Sequence, residues 1–262
     1  PNGELVLAGN TTHAGGAPLG GFVRWDGTGW SQFAGPSLHG AEVSLAPDIV
    51  LCPPAAKGDV FAAAQSGATR IGIVDGTFDH GAAIWHKEIL YVLDRGIEVM
   101  GAASMGALRA AECAAFGMIG IGRIYEDYAE GRRDADSDVA LVHGPPELDF
   151  PPLTDALVDV EATLDRLRES ALLTSAQHRD LATLARRQHF KERRWRELCI
   201  SIGRTDLQDA FFSQKQTDAM ALVEAMQGDA APRRSSTIFN ETMFFRDLAE
   251  DVTARRLSPA TS

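Results

Sequence analysis

Ser104 is the residue on which a chemical reading can start. It stands in Gly101-Ala102-Ala103-Ser104-Met105-Gly106-Ala107-Leu108-Arg109-Ala110-Ala111-Glu112, after an apolar stretch and at the opening of a helical pattern. Small residues on both sides predict a sharp strand-to-helix turn of the nucleophile-elbow kind, with Ala102-x-Ser104-x-Gly106 in place of the glycine-framed form. The amides of Met105 and Gly106, at a helix N-terminus, are expected to lack intrahelical acceptors and to receive an oxyanion or a phosphate. The same residues also suit a plainer arrangement, in which Ser104 caps the helix and the alanines admit close packing.

A serine nucleophile needs a base and a group to orient that base. Val74-Asp75-Gly76 places a carboxylate at a strand end, the edge where open α/β sheets bind ligands. Ten residues on, Trp85-His86-Lys87-Glu88 opens a helix with an imidazole, an amine and a carboxylate on successive positions. These point about 100° apart, so His86 and Lys87 cannot both face one site. His86 is preferred as base because its unperturbed pKa of about 6.5 suits neutral pH, whereas Lys87 needs desolvation to lose its proton. Ser104, His86 and Asp75 are thus expected to meet as nucleophile, base and orienting carboxylate. Ser37, Lys87, Glu88, Arg109, His143, Met105 and Gly106 are expected to bind substrate, with an Arg109–Glu112 ion pair as the other use of Arg109.

These residues require an α/β scaffold. Apolar runs alternating with helical segments predict strands over Asp48–Cys52, Arg70–Val74, Ile97–Met100 and Val139–Val142. Helices are predicted over Lys57–Gln65, Ile84–Asp94 and Met105–Phe116. The expected fold is a mainly parallel sheet with flanking helices, followed by an α-helical C-terminal region over 151–262. There amphipathic segments run over Asp155–Ser170, Ala176–Ser201, Asp218–Gln227 and Thr242–Leu257. The cluster from Lys191 to Arg196 suggests either a solvated face or a docking patch for an acidic partner. Residues 1–33 carry Gly-separated alternating runs and Trp25-Asp26-Gly27-Thr28-Gly29-Trp30, and resemble one β-propeller-like repeat. They are expected to form a β-hairpin extension without chemistry of its own, ahead of an α/β core over 34–150.

Of the 262 residues, 45% are hydrophobic and 23% charged, the balance of an ordinary folded chain. The net charge of −11 argues against binding to nucleic acid or an anionic membrane. Cys52, Cys113 and Cys199 are far apart and odd in number, which predicts neither a disulfide framework nor a zinc site and fits a reducing cytoplasm. Neither a metal nor a cofactor is called for. The uncharged stretch from Leu5 to Val23 is too polar for a membrane span or a signal peptide.

Taken together, Gly35-Pro36-Ser37, Ile71 to Phe78, Trp85-His86-Lys87-Glu88-Ile89-Leu90, Gly101 to Glu112 and His143-Gly144-Pro145 resemble the TfuA-like family over roughly residues 35 to 160. The resemblance implies a partner of YcaO-type proteins in making backbone thioamides in ribosomally synthesised peptides. In that scheme the protein mobilises sulfur by hydrolysing the C-terminal thiocarboxylate of a ThiS-like ubiquitin-fold carrier. Its partners would then be the YcaO-type protein, the carrier and a precursor peptide. The other reading is a non-catalytic adaptor that holds the carrier or peptide in the same crevice. The family's apolar first strand before Gly-Pro-Ser is here replaced by Gly29-Trp30-Ser31-Gln32-Phe33-Ala34, as if the propeller-like repeat had been joined inside that strand.

Overall fold

The structure, a computed structural model, describes residues 4–8, 13–14, 17–18, 37–38, 49–52, 54–77, 81–144, 151–228 and 239–257. Seven strands and nine α-helices are defined among them: β1 (Glu4–Ala8), β2 (His13–Ala14), β3 (Ala17–Pro18), β4 (Ile49–Cys52), α1 (Asp59–Gln65), β5 (Ala68–Ile73), α2 (His86–Asp94), β6 (Glu98–Ala102), α3 (Met105–Cys113), β7 (Ile119–Ile121), α4 (Arg123–Ala129), α5 (Leu157–Glu169), α6 (Ser175–Arg187), α7 (Trp195–Ser201), α8 (Gln214–Gln227) and α9 (Met243–Leu257). The main sheet is parallel, in the order β4-β1-β5-β6-β7, and β2 and β3 form a small antiparallel pair.

Strands buried on both faces read as near-continuous apolar runs. All five residues of β6 are buried, and in β5 only Thr69 is exposed. Alternate side chains serve opposite layers. Ile71, Ile73 and Val99 pack with Val60, Ile89, Val92 and Met105 of α1, α2 and α3. Val74, Met100 and Ala102 pack with Ala219, Leu222, Val223 and Met226 of α8. Helix α8 therefore returns from the C-terminal region to form the sheet's second covering layer. At its C-terminal end Arg70 donates to the carbonyls of Ala225, Met226 and Gly228 while its Nε bonds Glu98 at 2.8 Å, directly across from it on β6. Helices α5, α6 and α7 share a core around Leu164, Leu181, Trp195 and Leu198, and α9 packs on α1 through Phe245, Leu248 and Val252.

Four expectations need correction. Val139–Val142 is no strand: it follows a single 3-10 turn, and Val142 instead receives the amides of Leu153 and Thr154. The last strand is β7, hidden in the sequence by glycines; a side chain at Gly120 would overlap the Tyr125 ring, so the strand needs the glycine to admit α4. Ala176–Ser201 is two helices, because residues 188–194 turn the chain and bury Arg193. That burial also alters the basic cluster. Arg193 donates to the carbonyls of Ala185, Asp155 and Gln188, and Arg194 and Arg196 pair with Glu197 and Asp209, so the cluster is not a free cationic patch. Near the N-terminus, β2 and β3 have the expected hairpin pairing, whereas the apolar run Glu4–Ala8 lies inside the parallel sheet. Gly29–Ala34 lies outside the described residues.

Candidate active site

The turn between β6 and α3 is sharp for an identifiable reason. Ala103 holds a φ of 66°, and the Ser104 amide donates to Ala102 O at 2.9 Å, closing a three-residue turn that non-glycine residues seldom adopt. Glycines let the helix settle against the strand ends: a Cβ on Gly106 would overlap Ile73 O, and one on Gly101 would overlap Gly106 O. The backbone makes the sharp turn that the small residues predict, but it does not expose the Ser104 hydroxyl as an elbow of this kind would. Ser104 is the residue before the first turn of α3, but its hydroxyl makes no capping bond, and it is 98% buried. One oxyanion expectation fails. The Gly106 amide is taken by Val74 O at 3.0 Å and is not available to an anion. The Met105 side chain is buried against Gly76.

Asp75, at the end of β5, is buried, and both its oxygens are engaged. Ser37 donates its amide to Oδ2 at 3.1 Å and its hydroxyl to Oδ1 at 2.7 Å. Lys215 Nζ lies 3.8 Å from Oδ1. His86 is elsewhere occupied: its Nε2 is 2.7 Å from Glu112 Oε2, which also receives Arg109 at 2.6 Å, and Arg109 Nε donates to Ile84 O. Among the described residues no hydrogen bond joins Ser104, His86 and Asp75 to one another. The carboxylate beside His86 is Glu112, and Asp75 serves Ser37.

The neighbours of His86 diverge as their helical spacing requires. Lys87 Nζ donates to Asn240 O at 2.9 Å and lies 5.3 Å from the Phe239 ring, tying α2 to the residues before α9. Glu88 is fully buried and accepts the amides of Gly58 and Phe61 with one oxygen and of Trp85 with the other. It caps α1 from α2, and burial pushes its carboxyl up to about 7 against the pull of those amides. His143 Nδ1 lies 2.9 Å from Gly144 O, on the strap that pairs with Pro152. The cluster read from sequence thus divides into a buried Ser37–Asp75 pair beside the Ser104 turn, an exposed His86–Glu112–Arg109 group, and structural links made by Lys87 and Glu88.

Lys215, absent from the sequence reading, stands beside the first pair. Lys215 is 1% exposed and donates to Val139 O at 2.9 Å; its amide donates to Asp159 Oδ1 at 2.8 Å. Burial raises the Asp159 carboxyl to about 6, opposed by the charge of Lys215. A signal existed. Lys215, Ala219, Leu222, Val223 and Met226 recur at the spacing of one helix face, so the lysine stands on an apolar stripe. A cavity of about 330 Å³ opens between α4, α5 and α6, and neither Ser37, Asp75 nor Ser104 lines it. In its wall Arg133 bridges Asp127, Asp138 and Glu161, and Asp165 holds Arg123 and His178, so its charges are mutually paired.

A parallel α/β sheet with a strained strand-to-helix turn and buried polar groups at its C-terminal edge defines the class of scaffold. Residues 75–194 match the family model described as TfuA-like protein, and the chain carries a TfuA-like family domain over that span. No curated protein matches the chain. Among the described residues no helix is long and apolar enough to cross a membrane, and Cys52, Cys113 and Cys199 are buried.

Proposed function

We propose that the chain is a sulfur-mobilising partner of a YcaO-type protein in the backbone thioamidation of a ribosomal precursor peptide, acting in the cytoplasm. In this reading it hydrolyses the C-terminal thiocarboxylate of a ThiS-like carrier, taking R–COS⁻ and water to R–COOH and HS⁻. The family match over residues 75–194 is the observation that carries the reading. Hydrolysis of an acyl thiocarboxylate is acyl transfer to water, and the groups it needs are supplied by this chain. In this reading Ser104 is the nucleophile and the Met105 amide the oxyanion donor. His86 is the base, oriented by Glu112. Asp75 holds Ser37, and in this reading Arg109 and His143 bind the carrier tail.

The adaptor reading has one observation in its favour: Ser104, Asp75 and Ser37 are all closed to solvent in the isolated chain. The purified protein, incubated with a thiocarboxylated carrier without any YcaO-type protein, separates the two. Sulfide release with conversion of the carrier tail to a carboxylate supports the hydrolase. Carrier binding without sulfide release overturns it in favour of the adaptor.

A further inference from the structure

Lys215 is a buried charge for which hydrolysis by Ser104 and His86 has no task. An ammonium removed from water is costly unless acceptors and counter-charges replace its hydration, and an apolar residue of similar volume often serves packing better. The rest of its helix face is apolar: Ala219, Leu222, Val223 and Met226 cover the sheet. The groups that compensate Lys215 each belong to a different segment. Val139 O accepts a hydrogen bond from its Nζ at 2.9 Å, Asp75 Oδ1 faces it at 3.8 Å, and Asp159 of α5 accepts its backbone amide. Asp75 in turn holds both polar groups of Ser37. One ammonium therefore links the Ser37 turn, the residues following β5 and the strap at Val139, three segments that share no strand pairing among the described residues.

We infer that Lys215 is a positioning residue of the crevice: through Asp75 it fixes Ser37 in the arrangement used in catalysis, so that α8, outside the matched residues 75–194, completes the site. The inference rests on the hydrolase reading for its kinetic consequence, while its structural consequence stands apart. Charge attraction at 3.8 Å in a buried setting is strong enough to orient a carboxylate without a hydrogen bond. Lys215→Met removes the charge and keeps the bulk, Lys215→Arg keeps the charge, and Lys215→Met with Asp75→Asn removes both charges together.

The full chain and the three variants are compared by sulfide release from a thiocarboxylated carrier, by unfolding midpoint and by hydrogen exchange at the Ser37 amide. Lys215→Met is expected to lower kcat about tenfold or more with KM changed less than about threefold, and Lys215→Arg to recover part of kcat. The Ser37 amide is expected to exchange about tenfold faster in Lys215→Met, with the amides of α6 unchanged. The double variant is expected to regain the unfolding midpoint without regaining kcat, and supplies the comparison if Lys215→Met alone does not fold. A double variant with the kcat of the parent, or unchanged Ser37 exchange in both variants that lack Lys215, overturns the inference. If the parent chain releases no sulfide, the hydrolase reading falls and Ser37 exchange alone decides whether Lys215 positions the turn.

Discussion

His86 and Glu112, 26 residues apart on α2 and α3, meet through Nε2 and Oε2 at 2.7 Å. The same carboxylate oxygen receives Arg109, so the imidazole is held by a group that is itself held. If His86 is the base, Glu112 is the residue that aims it. Glu112→Gln and His86→Ala should each lower sulfide release about 100-fold, and the double variant should be little worse than the poorer single one. Both side chains are exposed, so unfolding midpoints should barely move. Full activity in Glu112→Gln would remove His86 from the mechanism as drawn.

The elbow depends on Gly106 more than on Ser104. A methyl group there would overlap Ile73 O and break the seat of α3 on the end of β5. Gly106→Ala should cost about 3 kcal/mol or more, in the range of severe overpacking. Gly67→Ala is the contrast: Gly67 has a φ of 95° with open space around it, so only backbone strain of about 1 kcal/mol is expected. Urea midpoints of the two variants measure the difference, and equal losses would show that contact with β5 does not set the turn.

Glu88 predicts a direction of pH dependence. Its carboxyl is raised from 4.5 to about 7 by burial, so the folded chain holds this proton more firmly than the unfolded chain does. Between those values the folded state binds more protons, and stability falls as pH rises through the window. Asp159, raised to about 6, acts in the same sense at slightly lower pH. Glu88→Gln should flatten the fall between about pH 5 and 7 while weakening the cap on α1. Urea unfolding at pH 5 and pH 8 tests this; an unchanged slope in Glu88→Gln would assign the dependence to other groups.

Much of the α/β order was legible because fully buried parallel strands such as β6 announce themselves as apolar runs, and because small residues cannot hide a tight turn at Ala103. Strand β7 is not legible in the sequence, since its Gly120 serves the approach of Tyr125 and interrupts the apolar pattern. The site was only half legible. Motif residues identified the loops that gather at the sheet edge, but partner choice depends on helix rotation: His86 reaches α3, Lys87 reaches Asn240 and Glu88 reaches α1 from three consecutive positions. Lys215 lies outside residues 75–194 and ahead of the Asp218–Gln227 segment whose apolar period predicts a helix.

Arg193 separates packing from docking. Its guanidinium donates to the carbonyls of Ala185, Asp155 and Gln188 and closes the end of α6, and burial lowers its pKa below the usual range. Arg193→Ala leaves those acceptors without a donor and should destabilise the chain by about 3 kcal/mol. Arg194→Ala and Arg196→Ala remove exposed ion pairs and should each change stability by less than about 1 kcal/mol. Thermal unfolding of the three variants checks the ordering, and a neutral Arg193→Ala would return this residue to the surface.

The N-terminal segment gives the last prediction. Strand β1 sits between β4 and β5, pairing Leu5 to Ala8 with Ile49 to Cys52 on one side and with Arg70 to Ile73 on the other. A chain that begins at Phe33 lacks this strand and leaves two parallel neighbours without a common partner, so it should fail to give a cooperative unfolding transition. Removing only residues 10–33 and joining Gly9 to Ala34 keeps the strand. The join leaves four residues between Ala8 and Ser37, enough to span about 17 Å when extended. The distance to be crossed lies along one edge: Ala8 is paired with Ile73, two residues before the Asp75 that binds Ser37. The internally shortened chain should therefore fold with an unfolding midpoint close to that of the full chain and keep the Ser37 amide protected from exchange, while the chain starting at Phe33 shows neither. Equal folding of the chain beginning at Phe33 would mean that Glu4–Ala8 is not a working strand of the sheet.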